Sequence, residues 1–251
     1  MKVITKIQEI KEARKSLQNK KIGFVPTMGG LHAGHLSLIN RAKSENEITF
    51  VSVFLNPTQF NDKKDLETYP ANLQDDIALL EKSGVDFLFA PDYTEMYPDG
   101  YKYKITENSF SKLLCGATRP GHFDGVLTVV MKLFNLVRPT NAYFGEKDFQ
   151  QYKLLKGMAE AFFLDINIIP CLIVREPNGL ALSSRNRKLS PEGLALAPKF
   201  HEILASSKSA AQKKTELEAA GFTVDYLTEL DGHIYGAVFL ENVRLIDNLE
   251  L

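Results

Sequence analysis

Only two cysteines, Cys115 and Cys171, stand in the 251 residues, and they lie in unrelated neighbourhoods. That scarcity excludes a disulfide framework and any C-x-x-C metal or redox pair, and it fits a reducing, cytoplasmic setting. No run approaches the roughly 18 apolar residues that a membrane span needs. The opening Met1 to Lys6 is interrupted by polar residues, so the chain reads as soluble and unsecreted. An excess of one charge is missing too, since 30 basic residues face 31 acidic ones for a formal net charge of −1. Such a balance offers no global field for nucleic acid or an anionic membrane, and small-molecule chemistry fits better. Two phosphate-binding fingerprints are also absent. Without G-x-x-x-x-G-K-[ST] or G-x-G-x-x-G, the P-loop and dinucleotide readings lose their main support.

What the chain does hold is alternation of strand-like and helix-like pattern. At this length it can bury one large core, or a main domain and a smaller one. Thr5 to Gln8 matches a capping box, and Ile7, Ile10, Ala13 and Leu17 follow at helical period. A strand is expected over 21–25, stopped by Pro26, then a helix over 34–44. Ile48 to Leu55 forms a nearly continuous apolar run typical of a buried parallel strand. Leu73, Ile77 and Leu80 predict a helix ending at Gly84, and Val85 to Ala90 a third strand. Val126 to Val137 reads as a helix, Ala142 to Phe144 as a short strand, Gln150 to Phe163 as a helix and Ile166 to Val174 as a strand. This order predicts an α/β fold with a Rossmann-like, doubly wound parallel sheet. After Arg187 the composition changes, and Ser190-Pro191 supplies an N-cap followed by proline. The boundary is therefore set between a main domain, 1–186, and a small C-terminal helix-and-sheet domain, 187–251. Its elements are helices to Ala220, a strand from Phe222 to Leu227, a turn at Asp231-Gly232 and two apolar runs ending at Ile246.

In open parallel sheets ligands gather beyond the carboxyl ends of the strands, and the chemistry-bearing residues cluster at those positions. FVPTMGGLHAGH, residues 24–35, follows the first long strand. Gly29 and Gly30 permit backbone angles that side chains forbid. His32 and His35, three apart, share one face of a helix start, where imidazole donors would join free backbone N–H groups in a phosphate site. An ordinary turn with surface histidines and a metal-binding pair are the competing readings, although no third His or Cys lies nearby. Asn56 to Phe60, Gly145 to Asp148 and Leu182 to Arg185 follow later strands. Asp75 and Asp76 carry two readings, favourable charges at a helix N-terminus or ligands of Mg²⁺. Val126, Val129 and Val130 fit either an apolar ligand wall or plain core packing. Arg119 fits either a substrate carboxylate or a surface ion pair.

Taken together, PTMGGLHAGH, FLNPTQF, RPGHFDGV, YFGEKDFQQ and VREPNGLALSSRN stand in the order and approximate spacing of the pantoate–beta-alanine ligases. The chain resembles that family over residues 20 to 190. The family belongs to the nucleotidyltransferase superfamily, whose H-x-G-H signature corresponds to His32 through His35. The resemblance implies a two-step, ATP-dependent ligation of (R)-pantoate with beta-alanine to pantothenate, through a pantoyl adenylate, with release of pyrophosphate and AMP. It implies catalytic roles for His32, His35, Lys147 and Arg185, with His35 a proton donor. An ATP site is implied at Met28, Gly29, Gly30, Leu31, His32, Ala33, Gly34 and His35. It continues through Gly145, Glu146, Lys147 and Asp148, and through Val174, Leu182, Ser183, Ser184 and Arg185. Gln59 and Gln151, with Asn56, are implied as contacts for pantoate and beta-alanine, amides that can both donate and accept. Mg²⁺ as cofactor, a closing C-terminal lid and a homodimer are further expectations. Leu182 replaces a methionine common in the family, and Ala71 an arginine. Two other functions share parts of this pattern, an AMP transferase acting on a phosphorylated acceptor and a non-catalytic nucleotide sensor. The first would not require the glutamine segments, and the joint presence of His32, His35, Lys147 and Ser183 to Arg185 argues against the second.

Overall fold

The computed structural model describes all residues, 1–251. The chain opens with β1 (Lys2–Ile4), α1 (Ile7–Lys15), β2 (Ile22–Thr27), α2 (Ala33–Glu45) and β3 (Ile48–Val53). A tight turn at Pro57–Gln59 leads to α3 (Lys63–Glu67), α4 (Leu73–Lys82), β4 (Phe87–Phe89), α5 (Tyr93–Met96) and α6 (Cys115–Thr118). Then come α7 (His122–Val137), β5 (Asn141–Gly145), α8 (Phe149–Ala161) and β6 (Asn167–Cys171). These six strands form one parallel sheet in the order β1-β4-β3-β2-β5-β6. The chain leaves β2 toward β3 on one side and returns to β5 on the other. The switch point therefore lies between β2 and β5, where a ligand crevice is expected.

Strand alternation divides the core between two faces. Phe24, Phe50 and Phe89 pack with α1, α7 and α8 on one face. Their neighbours Val25, Val51 and Leu88 pack with Ile39 and Leu80 on the other. Both faces are buried, which is why the strands read as continuous apolar runs rather than alternating ones. Helix α7 lies close to the 57–59 turn because Gly125 has no side chain. A Cβ there would sit 2.5 Å from the Thr58 carbonyl oxygen and 2.7 Å from the Gln59 nitrogen.

Past Ser190 the chain forms α9 (Pro191–Leu196), α10 (Pro198–Ala205) and α11 (Ala210–Ala219). They pack on an antiparallel sheet of β7 (Thr223–Leu230), β8 (His233–Leu240) and β9 (Val243–Glu250). Ser190 caps α9 by accepting the Gly193 N–H at 3.0 Å, with Pro191 at the first helical position. Asp231-Gly232 and Glu241-Asn242 all have positive φ, as two-residue hairpin turns demand. The apolar cluster of this part also takes in Leu180 and Leu189, so its packing reaches back before residue 187.

Two local expectations change, and one strand had none. Pro26 lies inside β2, opposite Ser52 of β3, and does not stop the strand. The Thr27 carbonyl accepts from Phe54 on the β3 side, whereas the Ile22 carbonyl accepts from Thr140 on the β5 side. Alternation then turns Pro26 toward β5, where pairing has already ended at Phe24. The missing N–H costs no ladder bond. Helix α1 starts one residue later than the Thr5 box implied, because the Glu9 carboxylate, and not Gln8, accepts the N–H groups of Thr5 and Lys6 at 3.2 Å each. β1 carries no sequence signal of its own and is held as an edge strand by β4.

Gly125→Ala tests the helix contact. Helix propensity alone would favour alanine by about 1 kcal/mol, yet the backbone contact reverses the sign, with an expected loss of about 1–3 kcal/mol from overpacking. A urea midpoint equal to or above wild type would contradict it.

Candidate active site

A cavity of about 290 Å³ opens at the carboxyl ends of β2 and β5. Most of the predicted residues meet there: Met28, His32, Gly34, His35, Asn56, Gln59, Gly145, Lys147, Asp148, Gln151, Val174, Leu182, Ser183, Ser184 and Arg185. Gly29, Gly30, Leu31, Ala33, Glu146, Asp75 and Asp76 are not on its wall. The reason for the first three is visible in the loop itself. Gly29 and Gly30 take φ of 86° and 66°, which turns the chain over. Asp76, buried at the start of α4, accepts the N–H groups of Gly30 and Leu31 at 2.9 and 2.8 Å. Those two donors are therefore directed to a carboxylate and away from the cavity.

The histidines also differ from expectation. His32 is the N-cap of α2, and its Nδ1 accepts the Gly34 N–H at 3.1 Å. His35 Nδ1 in turn accepts the His32 N–H at 3.3 Å. Two backbone donors at the helix start are thus used internally and are not left for phosphate. The exchange fixes both tautomers: with Nδ1 accepting, the proton of each neutral ring sits on Nε2. Burial pushes His32 down to about 4, helped by the charges of Lys147 and Arg187. Burial and the adjacent His32 push His35 down to about 3. The rings, 4.1 Å apart between centroids, are neutral at pH 7. Each neutral ring keeps its Nε2–H as the donor that its backbone contact leaves free.

Cationic charge comes from elsewhere. Lys147 lies 3.9 Å from Asp148, too far for a hydrogen bond. Arg185 pairs with Asp65 at 2.8 Å and lies over the Tyr69 ring. Arg244 of β9, paired with Asp225 at 2.7 Å, and Arg119 complete the group lining the cavity. Arg119 donates to His122 Nε2 at 3.2 Å and to the Gln59 carbonyl at 3.3 Å, but forms no ion pair. Burial, then Arg185 and Arg244, lower it to about 10, still charged at neutral pH. The surface ion-pair reading of Arg119 is thereby removed. Asp65, Tyr69 and Arg244 had no readable signal in the sequence, since only tertiary packing brings them to this cavity.

The amides form a graded set. Asn56 is bonded on all sides, donating to Gln59 Oε1 and the Gly125 carbonyl and accepting from Thr58 and Tyr97. It braces the site. Gln59 Nε2 faces only the weak acceptor Met28 Sδ, at 3.0 Å. Gln151 also lines the cavity, whereas Gln150 is turned inward to Cys115, Phe110 and Leu113. Val126, Val129 and Val130 are both buried core and cavity wall, so the two readings coincide. Asp75 lies exposed, Asp76 is engaged by backbone, and no group of three His, Cys, Asp or Glu is arranged to hold a metal. The donor set does not fit a protein-held cation at this pair.

The sequence model of the pantoate-beta-alanine ligase family matches residues 2–250. The chain belongs to that family. It is an enzyme, a ligase of pantothenate synthesis. It is 53% identical over 240 residues to a pantothenate synthetase of Bdellovibrio bacteriovorus, covering 96% of each chain. A Coxiella burnetii pantothenate synthetase is 52% identical over 248 residues, covering 99% of this chain and 96% of the other. The crystal structure of a Francisella tularensis pantoate-beta-alanine ligase, complexed with beta-gamma ATP and beta-alanine, superposes with a TM-score of 0.96 at 43% identity, covering 100% of this chain and 97% of that one. These matches leave no room for the AMP-transferase and sensor alternatives. No helix is long and apolar enough to cross a membrane.

His122 supplies the test of the electrostatics. Its Nδ1 donates to the Gln59 carbonyl at 2.8 Å while Nε2 accepts from Arg119, and burial lowers it to about 3. A histidine lowered in the fold contributes stability that is complete above its unfolded value near 6.5 and is lost as pH falls toward the folded value. The stability advantage of wild type over His122→Gln should therefore shrink by about 1.4 kcal/mol per pH unit between about 6 and 4.5. A constant gap in urea titrations across that range would contradict a neutral His122.

Proposed function

We propose that the cavity between β2 and β5 takes ATP and pantoate together, and that ligation proceeds through a pantoyl adenylate. A pantoate carboxylate oxygen attacks the α-phosphorus, the bond to the β-phosphate oxygen breaks, and pyrophosphate leaves. The amine of beta-alanine then attacks the acyl carbon, forming the amide, losing a proton and expelling AMP. The single observation that carries the reading is the convergence of two fixed imidazole N–H donors with Lys147 and the Ser183 to Arg185 segment on one cavity.

The first step transfers no proton, so neutral donors suffice. Charge moves onto the departing pyrophosphate, and preorganised donors lower that barrier without reorganising. In this reading His32, His35, Lys147, Ser183, Ser184 and Arg185 serve the phosphates. Gln59 and Gln151 choose the acid by its hydroxyl and carboxylate groups, against the wall of Val126, Val129 and Val130. Arg119 is a further anion partner beside Gln59. Mg²⁺ enters with the triphosphate, held by phosphate oxygens and water, as magnesium often is. Residues 187–251 act as a cover that keeps water from the acyl adenylate, and Arg244 travels with it. Two copies form a homodimer, which a light-scattering mass of one chain would exclude.

His35→Ala should slow single-turnover pyrophosphate release from ATP and pantoate by about 100- to 1,000-fold, with pantoate affinity nearly unchanged. Gln59→Ala should raise the pantoate KM about tenfold or more, with a smaller effect on the rate at saturation. Pyrophosphate release is measured with pantoate alone, and AMP and pantothenate after beta-alanine is added. Release that needs beta-alanine present would overturn the two-step order, and equal small effects of the two variants would overturn their assigned roles.

A further inference from the structure

β9 carries two adjacent buried side chains, Asp247 and Asn248, that reach two different loops of the main sheet. Alternation along the strand sends them in opposite directions. Asn248 Nδ2 donates to the carbonyl oxygens of Glu146 at 2.9 Å and Lys147 at 3.1 Å. Both amide protons are used on the loop that presents Lys147. Asp247 takes a bidentate pair from Arg175, at 2.7 and 2.8 Å. Arg175 also donates to the Gly179 carbonyl at 3.1 Å and pairs across the chain with Ala181, immediately before Leu182 to Arg185. Asp247 Oδ1 accepts the Asn248 N–H at 2.9 Å, which ties the two side chains into one unit. His201 of α10 adds a contact to Asp247 at 3.2 Å.

We propose that Asn248 and Asp247 are positioning residues for adenylation, setting where Lys147 and the Ser183 to Arg185 segment stand relative to each other. The inference rests on the reading of Lys147 as a phosphate contact. Neither residue lines the main cavity, so neither touches substrate there. Their effect is exerted through backbone. A loop held by two hydrogen bonds to one amide has a defined carbonyl direction, and misplacement of a catalytic group by about 1 Å costs on the order of 100-fold. The strand that would move with the C-terminal cover is the same strand that holds both loops. Docking of the cover and alignment of the phosphate contacts are thereby one event.

The test is a double-mutant cycle on single-turnover pyrophosphate release, using wild type, K147A, N248D and K147A/N248D. Asn248→Asp keeps the side-chain shape but turns an acceptor toward two carbonyls. K147A is expected to slow release about 100-fold, and N248D about 10- to 50-fold, with the pantoate KM within about twofold. In the K147A background N248D should add less than about a twofold loss, because the group it positions is gone. An equal N248D factor in both backgrounds, with K147A itself impaired, would overturn the positioning role alone. K147A as fast as wild type would instead remove the reading of Lys147, and the proposal with it. Should N248D fail to fold by thermal melting, Asn248→Ser, shorter and without an amide, goes through the same cycle and is judged by the same outcomes.

Discussion

The Asp76 carboxylate, holding the N–H groups of Gly30 and Leu31, is the constraint on which the mouth of the cavity depends. A glycine turn is permissive by nature, and nothing intrinsic to Gly29-Gly30 selects one conformation. A buried anion with two backbone donors does select one, since leaving either donor unpaired costs about 1–3 kcal/mol. Once the turn is fixed, His32 arrives at the N-cap of α2 and the reciprocal capping with His35 follows. The chain thus spends its free helix-start donors on orienting two side chains. The N–H groups these two residues leave free at the cavity are thus imidazole ones, further from the helix than its backbone donors.

That transfer changes the electrostatics of the site. Backbone and neutral imidazole donors carry partial charge only, so full charge has to come from Lys147, Arg185, Arg119 and Arg244. Arg185 and Arg244 are already matched by Asp65 and Asp225, which keeps a dense basic cluster tolerable before ligand arrives. Arg119 has no such match. Its contacts to His122 and the Gln59 carbonyl hold it in place without neutralising it, the arrangement expected of a group whose counterion is brought by substrate.

Much of the main sheet was legible because both of its faces are covered, so every long strand is an apolar run bounded by turns. In the C-terminal part, the first hairpin was legible from Asp231-Gly232 and the start of α9 from Ser190-Pro191, whereas the Glu241-Asn242 turn carried no signal that was read. β1 was not legible, since three residues held by an edge pairing leave no period to read. The motif residues were legible as a set, but their tasks were not. Where the Gly30 N–H points is set by a partner 46 residues distant, and one of the groups that hold the Asn56 amide lies 69 residues distant. Arg244 and Asn248 were invisible for the same reason, because β9 meets the loops only after the whole chain has folded.

The pairing of β2 explains why a cavity exists where it does. Six residues of β2 pair with β3, but only Gly23 and Phe24 pair with β5. Two strands that lie side by side and still carry free donors tend to zip further, and a longer ladder here would close the crevice. Pro26 stands on the β5-facing side of β2 with no proton to offer. A single residue that cannot hydrogen-bond acts as a permanent stop in that zipper, and the opening in the sheet is kept by covalent chemistry rather than by bound ligand.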